Sequence, residues 1–164
     1  MPQIRPATPV DYPTIERIAH QTWPDTFGAI LSAGQIQYML DWMYSQDAIK
    51  EQVEQKNHVF LMASDDTGEV IGYASYEHRD ETTKIHKLYL LPQTQGQGIG
   101  RLLIAEVARR ALVARSTALS LNVNRQNRAV QFYERIGFVV VSHEDIDIGN
   151  GFLMQDYVMQ KPLA

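Results

Sequence analysis

Apolar residues recur along this chain at two spacings, every second position in some stretches and every third or fourth in others. Each change of spacing marks the border of an element. Gln3 to Arg5 reads as a short first strand. Thr8-Pro9 opens a helix whose Val10, Ile15, Ile18 and Ala19 form an apolar stripe. The next stretch, TWPDTFGAILSAGQ, sets two aromatics, Pro24 and Gly28 between polar residues, a loop composition with an unusual apolar load. Ser32 caps a second helix in which Ile36, Met39, Leu40 and Met43 follow the i, i+3, i+4, i+7 spacing. Tyr38 and Trp42 fall off that stripe and either line a groove or pack inside. Ser45 or Asp47 caps a further helical turn through Ile49 and Val53.

His58 to Ala63 is a continuous apolar strand, DDTGE a turn and Val70 to Glu77 a second strand, together an antiparallel hairpin. Arg79 to Thr82 turns again into a strand from Lys84 to Leu91, which Pro92 ends because it has no N–H for a ladder. From Gly98 a helix carries Ile99, Leu102, Leu103, Val107 and Ala111 on one face, with Arg101, Arg109 and Arg110 outside. Ala118 to Val123 is a short buried strand, parallel to the strand before the helix in a βαβ crossover. Asn127 caps RAVQFYERIGF, where Ala129, Phe132, Tyr133 and Ile136 share a face and Gly137 ends the helix. Phe138 to Ile146 and Phe152 to Gln160 are the last strands, joined through DIGNG. The sum is a mixed α/β sheet of about seven strands with about four helices, one domain over residues 1–164.

The 164 residues are 45% hydrophobic, enough for a substantial core in one unit. A net charge of -4 and a pI near 5.7 argue against nucleic acid or an anionic membrane as the main partner and are compatible with a cationic substrate. With no cysteine there are no disulfides, thiolate nucleophiles or thiolate metal sites. No signal core or membrane-length apolar run is present, so a cytoplasmic location is expected.

The most distinctive stretch is LYLLPQTQGQGIGRLLI, a strand running through three alternate glycines into a helix. Such glycines let backbone N–H groups approach a ligand, and the first N–H groups of a helix attract phosphate. A nucleoside-triphosphate loop needs Gly-Lys-Ser/Thr, but Arg101 and Leu102 follow Gly100. A dinucleotide fingerprint needs its third glycine where Arg101 stands and an acidic residue near 121, where the chain reads LNVN. The pattern that fits, Gln/Arg-x-x-Gly-x-Gly/Ala after a strand ending in Pro, resembles the coenzyme A site of the GCN5-related N-acetyltransferases; a glycine-rich connection without a ligand is the alternative. A second segment, LNVNRQNRAVQFYERIGF, resembles the same family in the right order, and TFGAILSAGQIQYMLDWMYS is similar to its branch of PaiA-type polyamine acetyltransferases.

The resemblance implies a splayed central pair of parallel strands with acetyl-coenzyme A, the acetyl donor, wedged where they part. Its pantetheine arm would pair with the backbone of Leu88, Tyr89 and Leu90, satisfying groups that are costly to leave unpaired. The backbone through Gln95, Gly96, Gln97, Gly98, Ile99, Gly100 and Arg101 would hold the pyrophosphate. Gln95 stands where many members have Arg, which weakens the attraction for phosphate, and Arg101 offers a compensating charge. Asn127 is both a cap and a candidate cofactor contact.

Acetyl transfer to an amine needs a neutral nucleophile, and an amine of pKa near 10.4 is only about one part in two thousand neutral at pH 7, a deficit of about 4.5 kcal/mol. His86 and Glu77 are the two candidate bases or relay groups. The resemblance implies that the Leu90 N–H faces the carbonyl oxygen and that Tyr133 is the general acid for the leaving thiolate; on the residues alone Tyr133 also reads as an ordinary helix-face residue. The five histidines are far apart in sequence and show no HExxH, so no metal site is expected, and Ser64 and Ser75 lack a hydrolase context. Asp25, Asp41, Glu77, Asp80 and Glu81 favour a small cationic amine or polyamine as acceptor. A protein N-terminal or lysine acceptor is the second reading, and a non-catalytic acyl-coenzyme A-binding module the third. The last two strands offer an edge for a homodimer.

Overall fold

The structure, a computed structural model, describes residues 1–163. Strands β1 (Gln3–Pro6), β2 (Val59–Ser64), β3 (Val70–His78), β4 (Thr82–Leu90), β5 (Ala118–Asn124), β6 (Val139–Gly149) and β7 (Phe152–Pro162) form one sheet in the order β1-β2-β3-β4-β5-β7-β6. Only β4 and β5 run parallel; every other pair is antiparallel. Helices α1 (Tyr12–Phe27), α2 (Ala33–Met43) and α3 (Gln46–Glu54) lie between β1 and β2, α4 (Ile99–Val113) between β4 and β5, and α5 (Ala129–Arg135) between β5 and β6. Among the described residues no helix is long and apolar enough to cross a membrane.

Each face of the sheet has its own buried cluster. Leu103, Val107 and Ala111 of α4 pack with Ile85, Leu119, Leu121 and Phe138 on one face. On the other, Ile15, Ile18 and Trp23 of α1 pack with Met39, Leu40 and Ile49 of α2 and α3 against Phe60, Met62 and Tyr73.

The feature that shapes the middle of the sheet is a bulge in β4. Ser75 pairs with Lys87 and Tyr76 with Ile85, leaving His86 as an extra residue with no partner on β3. The alternation of β4 therefore slips, so that Ile85 and Leu88, three apart, both join the α4 cluster. A bulge bends its strand, and the parallel ladder with β5 ends at this point, with Ile85 opposite Leu121. Beyond it β5 pairs only with β7, and Leu88 to Leu90 have no strand on that side.

Several sequence expectations change. Among the described residues there are five α-helices, since Ser45 caps a full third helix by accepting from the Ala48 N–H at 3.1 Å. TWPDTF belongs to α1, and its apolar load is explained by Trp23 and Phe27, both buried. Val10 sits in a 3₁₀ turn (Pro9–Asp11) and is 82% exposed, off the stripe. Leu102 is likewise exposed. α5 begins at Ala129, so Asn127 caps from one residue further out, its Oδ1 accepting the Ala129 N–H at 2.9 Å.

Candidate active site

Where β4 and β5 part, the sheet opens into a cleft of about 250 Å³. Its walls are His86 to Tyr89 of β4, Leu121 to Asn124 of β5, and Tyr133 of α5. Trp23 and Phe27 of α1 and Met39 and Trp42 of α2 close one side, and Ile146, Ile148, Met154 and Asp156 of the last hairpin close another. That hairpin is fastened to α2. Tyr38 donates its hydroxyl to the Ile148 carbonyl at 2.7 Å, Gln35 Nε2 donates to the Leu153 carbonyl at 2.7 Å, and the Tyr38 and Phe152 rings are 5.4 Å apart. Gly149 has φ +92°, and a Cβ there would lie 2.7 Å from the Tyr38 hydroxyl, so turn conformation and close approach both require glycine.

The glycine loop stands at the end of β4. Gly96 and Gly98 adopt φ +83° and +81° in open space, so the demand for glycine there is conformational. Gly98 is the N-cap of α4, whose first N–H groups lack intrahelical partners. Gly100 answers a packing need instead, since a Cβ would meet the Phe132 ring at 3.3 Å. Arg101 is exposed on the first turn of α4, and the exposed Gln95 side chain turns back to donate to the Leu90 carbonyl at 3.4 Å. None of Gln95 to Arg101 lines the cleft itself; the loop lies beyond the end of the strand that does.

His86 and Glu77, offered by the sequence as alternatives, are one unit. His86 Nε2 donates to Glu77 Oε1 at 2.8 Å, which leaves Nδ1 as the acceptor nitrogen. Arg79 Nε donates to the same oxygen at 3.1 Å. Burial pushes His86 down to about 3 in spite of its carboxylate partner. Burial raises Glu77, but the His86 hydrogen bond and the Arg79 charge outweigh it and hold the carboxyl below its ordinary value. Only His86 of the two lines the cleft. His58, distant in sequence, stacks on His86 with centroids 4.0 Å apart and planes 13° apart, and burial lowers it to about 4. His58, Glu77 and His86 thus bring three potential ligand atoms within 4.8 Å of one another, against the expectation of scattered histidines. His58 Nε2 lies 3.8 Å and His86 Nε2 2.8 Å from the same Glu77 oxygen, so the carboxylate sits where the two ring nitrogens converge.

Tyr133 lines the cleft and is buried, with Phe132 and Phe138 against its ring at 5.3 and 5.5 Å. Burial raises its phenol well above the ordinary value, which keeps it protonated. Leu88, Tyr89 and Asn127 reach the same cleft.

Two wall residues escaped the sequence reading. Lys87, turned inward by the bulge, is 2% exposed; its Nζ donates to Gln52 Oε1 at 2.8 Å and lies 5.3 Å from the Tyr44 ring centroid, and burial lowers it to about 7. Asp156 on β7 is the carboxylate of the cleft, whereas Asp25, Asp41, Glu77, Asp80 and Glu81 do not line it. The one signal for Lys87 in the sequence is the polar pair His86-Lys87, which breaks the strand's alternation. Asp156 lies in QDYV, half of a polar pair inside an otherwise apolar run, and nothing local marks it as facing the cleft.

A family profile described as an acetyltransferase (GNAT) domain matches residues 31–161. The chain belongs to the GNAT acetyltransferase family. Like the rest of that family it is an N-acetyltransferase whose acetyl donor is acetyl-coenzyme A, and the parted strands with the glycine loop above them fit an extended donor of this kind. Among relatives, the N-acetyltransferase YuaI of Bacillus subtilis is 27% identical over 153 residues, 90% of this chain and 86% of that one. A spermidine N(1)-acetyltransferase of Thermoplasma acidophilum is 27% identical over 158 residues, 93% of this chain and 95% of that one. The crystal structure of a PaiA N-acetyltransferase from Thermoplasma acidophilum in complex with coenzyme A superposes with a TM-score of 0.84 at 26% identity, covering 99% of both chains.

Proposed function

We propose that this GNAT domain acetylates the primary amine of a small cationic acceptor of the polyamine class. The observation that carries the reading is the fastening of the last hairpin to α2 through Tyr38 and Gln35, which roofs the cleft and favours a small molecule over a peptide laid across it. Trp42, half exposed at the cleft, presents an aromatic face suited to a cation. The similarity to a spermidine acetyltransferase over nearly the full length supports the same class.

In this reading the backbone of Leu88, Tyr89 and Leu90 pairs with the pantetheine arm, and the Leu90 N–H faces the acetyl oxygen. The loop from Gln95 to Arg101, with Gly96, Gln97, Gly98, Ile99 and Gly100 between, receives the pyrophosphate, and Asn127 borders the donor. Tyr133 protonates the departing thiolate. His86, its tautomer set by Glu77, offers Nδ1 as a hydrogen-bond acceptor to the incoming amine.

The test is thiol release from acetyl-coenzyme A across polyamines, aminoglycosides, amino acids and lysine- or amino-terminal peptides. Turnover of spermidine or spermine supports the proposal. Turnover of peptides alone moves the acceptor to proteins, and coenzyme A binding without turnover of any amine leaves a non-catalytic module.

A further inference from the structure

We infer that Asp156 is the catalytic group that binds the acceptor's ammonium and takes its proton. The inference rests on the acetyltransferase reading above and adds to it a base on β7, which neither the loop nor the β4 pattern foreshadows.

Asp156 forms part of the cleft wall and is 6% exposed. Its Oδ2 accepts from Asn122 Nδ2 at 3.4 Å, while its Oδ1 has neither a hydrogen-bond partner nor contact with solvent. A buried carboxylate oxygen left bare is costly, and such a group is normally paired. The cations whose charge acts on it do not pair with it. Arg125 bonds Asp145 instead, and Lys84 makes no ion pair among the described residues. A donor from outside the chain would complete it, and an ammonium is the donor that a carboxylate matches best.

The surroundings decide between Asp156 and His86 as proton acceptor. Moving a proton from an ammonium to a carboxylate turns two buried charges into none, whereas moving it to an imidazole leaves a buried positive charge. Burial accordingly raises Asp156 and lowers His86 to about 3. Asp156, Tyr89 and Tyr133 all line the same cleft, so the carboxylate and the proposed acid serve one region. The groups that face Asp156 are Lys84 on β4, Asn122 and Asn124 on β5, Arg125 after it, and Glu144 directly opposite on β6.

The step balances without a further reactant. The ammonium gives one proton to Asp156 and becomes an amine. Its nitrogen forms the C–N bond to the acetyl carbon as the C–S bond breaks, and the second proton leaves nitrogen as the thiolate gains one from Tyr133. Asp156 then returns its proton to solvent, and Tyr133 recovers the other.

Asp156→Asn keeps the shape and removes the base. With spermidine or the best amine of the panel, kcat/KM at pH 7 is expected to fall by on the order of a hundredfold to a thousandfold. Coenzyme A binding, followed by thermal shift, stays as in the wild type. The deficit should then narrow by about tenfold per pH unit as the free amine accumulates. A deficit below about threefold, or one that pH does not narrow, overturns the inference while wild-type turnover leaves the acetyltransferase reading standing. Should wild type acetylate no amine, that reading fails and this one with it. If Asp156→Asn does not fold, Asn122→Ala serves, since losing its hydrogen bond raises Asp156 further and moves the acid limb of kcat/KM upward. An unmoved limb overturns the assignment.

Discussion

Lys87 shows how one residue couples the site to the stability of the fold. A lysine is about 10.4 in an unfolded chain, and burial takes Lys87 down to about 7. Between those values the unfolded state holds a proton that the folded state lacks, so stability rises with pH through this window, by at most about 1.4 kcal/mol per unit. Below pH 7 the cost of the buried charge is fully present. Unfolding in urea at pH 7.5, 8.5 and 9.5 should show the rise, and Lys87→Met should flatten it; equal slopes in both proteins would refute a depressed lysine. Tyr133 makes a separate case. Its phenol stays protonated by burial and can donate, but a thiolate with pKa around 8.5 leaves tolerably without help. Tyr133→Phe should therefore lower kcat by roughly tenfold to a hundredfold, the low end for a general acid, with KM for acetyl-coenzyme A unchanged. An unchanged kcat would remove Tyr133 from the chemistry.

Among the elements, the glycine loop and the strand order were legible because each rests on local pattern. Gly96 and Gly98 need a positive φ, and apolar spacing separates helix from strand. The bulge was not legible. KIHKLYL breaks its alternation at the polar pair His86-Lys87, but only pairing with β3 reveals that His86 is the extra residue and that Lys87 faces inward. The same limit hid the meeting of His58 with His86 and the place of Asp156, which depend on strands distant in sequence. The DIGNG join between β6 and β7 reads only as a connection, yet its role over the cleft depends on Tyr38 of α2. Tyr38→Phe removes one hydrogen bond, worth about 1 kcal/mol, from that fastening. The expected result is a rise of about fivefold in KM for the amine with KM for acetyl-coenzyme A unaffected. A rise in the donor KM instead would place the hairpin over the wrong substrate.

Across the whole molecule, the sheet is weakest where it is meant to open. β1 to β4 and β5 to β7 join through only the short parallel ladder from Thr82 to Ile85 against Ala118 to Leu121, with α4 spanning the pair. A donor seated in the proposed manner would bridge the two halves by hydrogen-bonding one strand's free edge and the first turn of α4. An unfolded chain offers no such site, so binding adds to stability by mass action. At a hundredfold excess over Kd the gain is about 2.7 kcal/mol. For a chain of this length that corresponds to a rise in Tm of roughly 5–10 °C. The rise alone reports binding anywhere, so location needs a second observable. Amide hydrogen exchange at Leu88 to Leu90 and from Gly96 to Arg101 should slow when coenzyme A is added, while β1 and β2, remote from the ladder, change little. A Tm rise without slowing at those amides would show that coenzyme A binds elsewhere, and would take the pantetheine and pyrophosphate assignments with it.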